Sequence, residues 1–208
     1  MPSETAAGFH ATLTSDERDR SARLRFERDR RRFVVARGVL RALLGRYLGI
    51  RPGHVRFAHN AFGKPELSAA CGSELKFNLS HSADLALIAI APRADVGIDL
   101  EQIRERPDYA EIARHFFPAA EAAHVNALPR HLHAEAFLSS WTKKEAYVKA
   151  CGRSLADLDH GSPYAGPDRR WSLYTLRPAP GYVGALAVEG RAWRVRQWHW
   201  HTSQAATA

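Results

Sequence analysis

Hydrophobic periodicity switches twice along this chain, and that limits the folds open to it. Over Glu27–Leu48 the apolar residues Phe33, Ala36, Leu40, Leu43, Leu44 and Tyr47 recur at helical spacing. Gly49 follows as a helix C-terminal cap. Thr14-Ser15-Asp16-Glu17 has the form of a capping box, so a shorter helix is expected from about residue 15. After Arg51-Pro52-Gly53 the period falls to two. Segments 54–59, 77–82, 85–90 and 96–101 read as strands, with turn chemistry at 60–65, 83–84 and 91–95. Helices return over 111–117, from Ala119, and over 133–151, with Gly152 after the last. From 171 to 200 the pattern predicts strands separated by turns at 178–181 and 189–190. Helices and strands come in runs, with no regular βαβ alternation, which indicates an α+β fold.

The 208 residues suit one domain or two small fused ones, and an apolar share of 45% is enough for a core. The net charge is +8, which favours an acidic partner: nucleic acid, a phosphorylated small molecule, an acidic protein or a membrane surface. Cys71 and Cys151 stand far apart and form no CxxC, so neither a zinc site nor a disulfide framework is indicated. The first twenty residues lack the apolar segment of a secretory signal, and the apolar run 85–91 is too short to cross a bilayer. A cytoplasmic protein is the expectation. Of 30 basic residues only Lys64, Lys76, Lys143, Lys144 and Lys149 are lysines, and three of these fall within seven positions. The arginines of the 27–48 helix read mostly as a solvated face.

Two segments carry carboxylates in suggestive places. Along Val96-Gly97-Ile98-Asp99-Leu100-Glu101, strand alternation puts Asp99 and Glu101 on one face. Paired carboxylates repel unless a cation or a shared proton lies between them, and a hard ion such as Mg²⁺ satisfies them. A bare D-x-E is also what a solvated strand face looks like. In Trp141-Thr142-Lys143-Lys144-Glu145-Ala146-Tyr147-Val148-Lys149, Glu145 and Lys149 lie one helical turn apart. Alone they would be a surface ion pair. A third carboxylate beside the first two would complete an acidic metal pocket, and such a pocket wants a phosphorylated substrate.

Basic and hydroxyl groups supply the other half. Phe62-Gly63-Lys64-Pro65 sets a lysine on a constrained turn, suited to a phosphate. Asn78-Leu79-Ser80-His81-Ser82 gathers hydroxyls and an imidazole at a strand end. Ser80 and His81 alternate faces and so make a poor hydrolase dyad, and there is no G-x-S-x-G. P-loop and dinucleotide-binding glycine patterns are absent.

In order, FGKP at 62–65, FNLSHS at 77–82, VGIDLE at 96–101, RHFFPAAE at 114–121 and WTKKEAYVKACG at 141–152 resemble the Sfp-type 4'-phosphopantetheinyl transferase family. The resemblance implies a pseudodimer of two similar α/β halves, 1–95 and 96–208, with the active site between them. It implies that Asp99, Glu101 and Glu145 bind Mg²⁺, which bridges the pyrophosphate of coenzyme A. It implies that Arg32, Lys64, Pro65, Ser80 and His81 surround the 3'-phosphate and adenosine end, and that Lys149 contacts the pyrophosphate. Glu145 then deprotonates a serine of an acidic apo carrier protein (acyl, peptidyl or polyketide), and 3',5'-ADP leaves. The role of Glu121 stays open, and arginines such as Arg18 and Arg20 stand where the family has early lysines. A monomer without nucleic-acid or membrane partners is expected. The rival reading is a basic nucleic-acid-binding protein, which leaves the clustered carboxylates unexplained.

Overall fold

The computed structural model describes residues 3–106, 108–153 and 170–201. Six α-helices and seven strands are present among them: α1 Ser3–Thr12, α2 Ser15–Ala22, α3 Glu27–Leu48, β1 Phe57–His59, β2 Pro65–Leu67, β3 Leu75–Ser82, β4 Leu85–Pro92, β5 Val96–Gln102, α4 Tyr109–Phe116, α5 Ala119–Ala127, α6 Arg130–Ala150, β6 Trp171–Leu176 and β7 Tyr182–Glu189. The chain divides into two compact units, one of residues 1–56, 68–73 and 194–208, the other of 57–67 and 74–193.

The first unit is helical. The Thr14 N–H donates to the Glu17 carboxylate at 3.1 Å, as the capping box requires, and Gly49 ends α3 with φ +67°. Glu17 does more than cap. It is buried, and its carboxylate meets Arg41 Nε at 2.7 Å and Arg37 Nε at 3.4 Å. Arg41 also donates to the Pro52 and Val55 carbonyls. Thus two arginines of the expected solvated face are interior. A guanidinium in a core needs partners for its donors; for Arg41, Glu17 takes Nε and two backbone carbonyls take Nη1. Helix α1 carries no periodic signal in the sequence; Phe9 packs where a Cβ on Gly38 of α3 would stand.

The second unit holds the sheets. Strands β3 and β4 pair antiparallel from Leu75↔Pro92 to Ser82↔Leu85, around a turn in which Ala83 takes φ +49°. Strand β7 lies between β5 and β6, both antiparallel to it. Helix α6 lies against β5 and β7 through small residues. A Cβ on Gly97 would overlap the Ala146 carbonyl and the Ala150 N–H, and Ala146, Ala150, Ala185 and Ala187 are all buried in one cluster with Trp171. Helices α4 and α5 close over α6 with Tyr109, Phe117 and Phe137 stacked at 4.5 and 5.1 Å.

Four expectations shift. The strand expected over 54–59 is only Phe57–His59, because Pro52–His54 forms a 3-10 turn. Helix α6 begins at Arg130, and a short strand β2 starts at Pro65, the last residue of the segment that reads as a turn. The strands expected up to residue 200 stop at Glu189. Gly190, at φ +91°, turns the chain, and the Trp193 indole N–H donates back to the Glu189 carbonyl at 2.7 Å. Residues 191–201 carry no regular structure. The final low-complexity residues lie outside the described part.

Candidate active site

Strand alternation sets the site's geometry. Gly97, Asp99 and Glu101 share one face of β5. Gly97 lets α6 approach that face, and Glu145 and Lys149, one turn apart on α6, then reach it. Lys149 Nζ donates to Asp99 Oδ1 at 2.6 Å and stands 3.9 Å from Glu145 Oε2. From β3, Ser80 Oγ donates to the same Asp99 oxygen at 2.9 Å. Asp99 is 4% exposed, and its Oδ2 is buried without a hydrogen-bond partner. An unmatched carboxylate oxygen in the interior is costly, and a cation is one physical remedy.

These groups line a cavity of about 290 Å³, bounded by Leu79, Ser80, His81, Asp99, Glu101, Trp141, Glu145 and Lys149. Six of the sequence-predicted site residues therefore meet: Ser80, His81, Asp99, Glu101, Glu145 and Lys149. Burial raises the Glu145 carboxyl above its usual range, with Lys149 opposing and the Asp99 and Glu101 charges adding to the rise. Burial likewise raises Glu101, opposed first by a hydrogen bond from Ser82. Among the described residues no group of three or more His, Cys, Asp or Glu side chains is arranged to hold a metal ion as it stands. The set still suits a hard ion that takes one or two carboxylates and fills its other positions with water and phosphate oxygens.

Three predicted contacts are placed elsewhere. Lys64 is not in the lining; its Nζ donates to the Val96 carbonyl at 3.0 Å, and burial lowers its pKa. Pro65 pairs with His59 across β1 and β2. Arg32 belongs to the helical unit, with its guanidinium 3.6 Å from Asp29.

Other residues escape a reading of the sequence. Asn60 organises the FGKP turn, accepting from the Phe62 and Lys64 N–H groups and donating to the Gly152 carbonyl just beyond α6. Glu121, without a role in the sequence, pairs at 2.8 Å with the buried Lys144, whose ammonium lies 5.0 Å from the Phe117 ring centre. That pair fastens α5 to α6 one residue before Glu145. An acid on one helix and its lysine on the next leave no periodic signal. Trp141 stacks on Phe137 and also walls the cavity.

Comparison with known proteins gives the family. The family model described as the 4'-phosphopantetheinyl transferase superfamily matches residues 95–207. A model described as 4'-phosphopantetheinyl transferase, N-terminal, matches 2–93. The chain is 39% identical over 209 residues to the 4'-phosphopantetheinyl transferase HetI of Nostoc sp., covering 96% of this chain and 88% of that protein. It is 32% identical to a putative 4'-phosphopantetheinyl transferase of Synechocystis sp., over 84% of this chain and 70% of the other. It is 39% identical to the 4'-phosphopantetheinyl transferase AcpT of Salmonella typhi, over 65% of this chain and 70% of the other. With a model covering more than half its length and a relative aligned along nearly all of it, the chain belongs to the 4'-phosphopantetheinyl transferase superfamily.

Proposed function

We propose that this enzyme transfers the 4'-phosphopantetheine of coenzyme A to a serine of an apo carrier protein, in a Mg²⁺-dependent reaction that releases 3',5'-ADP. The observation that carries the reading is the convergence of Asp99, Glu101, Glu145 and Lys149 on one cavity with Ser80 and His81. Residues on both sides of position 95 supply that lining, and the two family models divide there. The model boundary supports a division of the chain near residue 95, and we propose that halves 1–95 and 96–208 form a pseudodimer.

Asp99, Glu101 and Glu145 would hold the Mg²⁺, which when bound neutralises charge on phosphate oxygens. The partnerless Asp99 Oδ2 is the atom most in need of such an ion. The chain's own groups do the remaining work. Lys149 places an ammonium at the cavity wall, where it binds the pyrophosphate and offsets charge building on the leaving oxygen. Glu145, held to its protonated form more strongly than an ordinary glutamate, takes the proton from the carrier serine directly or through water. The serine oxygen forms a bond to the phosphorus attached to pantetheine, and the bond from that phosphorus to the 3',5'-ADP oxygen breaks. His81, exposed at the rim, and Arg32, Lys64, Pro65 and Ser80 are proposed for the nucleotide end of coenzyme A.

The test is mass spectrometry of an apo carrier protein incubated with enzyme, coenzyme A and Mg²⁺. The expected result is a mass gain of one phosphopantetheine, abolished by chelation. Unmodified carriers across fatty-acid, polyketide and peptide-synthetase types would refute the proposal.

A further inference from the structure

Strand β5 is an edge strand of its sheet, with β7 on one side only. The N–H groups facing away from β7 need partners, and those of Ile98 and Gln102 find side chains on β3. Asn78, Ser80 and Ser82 occupy alternate positions of β3 and so share a face. Asn78 Oδ1 accepts the Ile98 N–H at 2.8 Å. Ser80 Oγ donates to Asp99 at 2.9 Å. Ser82 Oγ accepts the Gln102 N–H at 3.0 Å and donates to Glu101 Oε2 at 2.9 Å. A ladder of three polar side chains thus joins two sheets that share no backbone pairing, and two of its rungs end on the carboxylates of the site.

The Ser82 rung has a built-in direction. A hydroxyl has one hydrogen to donate. The Gln102 N–H occupies an acceptor position of the Ser82 oxygen, which orients that hydrogen toward Glu101. Glu101 has three rotatable side-chain bonds, and fixing them is entropically costly. One oxygen held by Ser82 leaves the other free to serve the cavity. Asp99 is held twice over, by Ser80 and Lys149; for Glu101 the fastening is Ser82.

We infer that Ser82 is a positioning residue that presets Glu101 for cation binding, through the Gln102 N–H···Ser82 O–H···Glu101 relay. The inference rests on the proposed Mg²⁺ site and adds to it a residue that touches neither metal nor substrate.

The test is direct measurement of Mn²⁺ binding, as a paramagnetic stand-in for Mg²⁺, by electron spin resonance with coenzyme A present. Ser82→Ala is expected to weaken Mn²⁺ binding about fivefold to tenfold, and Ser82→Thr to restore it to within about twofold, as expected for loss of one charge-assisted hydrogen bond. Metal-free coenzyme A binding is expected to stay unchanged. Ser82→Cys keeps the size with a poor donor and serves if the alanine variant does not fold; it is expected to match Ala. A wild-type protein that binds Mn²⁺ alongside a folded Ser82→Ala or Cys variant that binds it equally well overturns the Ser82 role alone. So does Ser82→Thr failing as badly as Ala. A wild-type protein that binds no Mn²⁺ overturns the metal reading and this inference with it.

Discussion

At the scale of single residues, the site concentrates charge that folding alone would not choose. Glu145 is pushed above the usual carboxylate range by burial, so the folded state favours its neutral form. For a group with a raised folded pKa, the stabilising contribution is present at pH below the unfolded value. It is lost as pH rises through the folded value. At neutral pH the charged Glu145 therefore opposes folding. Glu145→Gln is expected to raise the melting temperature of the metal-free protein at pH 7 by about 2–4 °C, on the order of 1 kcal/mol for a chain of this size. The gain should fade as pH falls to about 4, where glutamate itself is neutral. The same variant should abolish transfer. A calorimetric scan showing Glu145→Gln less stable at pH 7 would contradict the sign. Asp99→Ala is likewise expected to reduce transfer by at least about a hundredfold while far-ultraviolet circular dichroism stays native. Near-normal turnover would remove Asp99 from the chemistry.

At the scale of elements, the approach of α6 to β5 decides whether the carboxylates meet. Gly97 is the point of closest approach, because any side chain there would overlap the helix backbone at Ala146 and Ala150. Gly97→Val is expected to destabilise by about 3 kcal/mol or more, since backbone cannot move aside as a flexible side chain can. Denaturant unfolding measures it, and a loss under about 1 kcal/mol would mean that α6 does not press on β5 at this point. The Lys144–Glu121 pair fastens the same helix from its other side. Lys144→Ala leaves a half-buried acid without its partner and is expected to cost about 2 kcal/mol, with Glu121→Gln in the same background recovering part of it. Independent, additive losses would show that the two side chains do not act as a pair.

At the scale of the whole molecule, the net charge of +8 has a kinetic consequence. If the acceptor is an acidic carrier, long-range attraction assists encounter and is screened by salt. The KM for carrier is expected to rise several-fold between about 0.02 and 0.5 M NaCl, where the Debye length shrinks from tens to a few ångströms, with kcat nearly constant. Salt-independent KM would leave the basic charge without this role. Among the described residues no helix is long and apolar enough to cross a membrane.

Much of this protein could be read from order along the chain. Period-two and period-3.6 patterns located β3, β4, β5, α3 and most of α6, because burial of one face imposes those periods whatever lies opposite. Alternation alone put Asp99 and Glu101 on one face, and helical spacing alone put Glu145 beside Lys149. Local pattern says nothing about which face meets which. That Asp99 would share an oxygen between Ser80 and Lys149, that Gly97 would admit α6, and that Glu17 would draw Arg37 and Arg41 inward depended on contacts between distant segments. So did the placing of Lys64 on the Val96 carbonyl. These are settled by close packing and by the cost of leaving buried polar groups without partners. The carboxylate set was thus written in the sequence as separate fragments, and tertiary contact between β3, β5 and α6 made it one cavity.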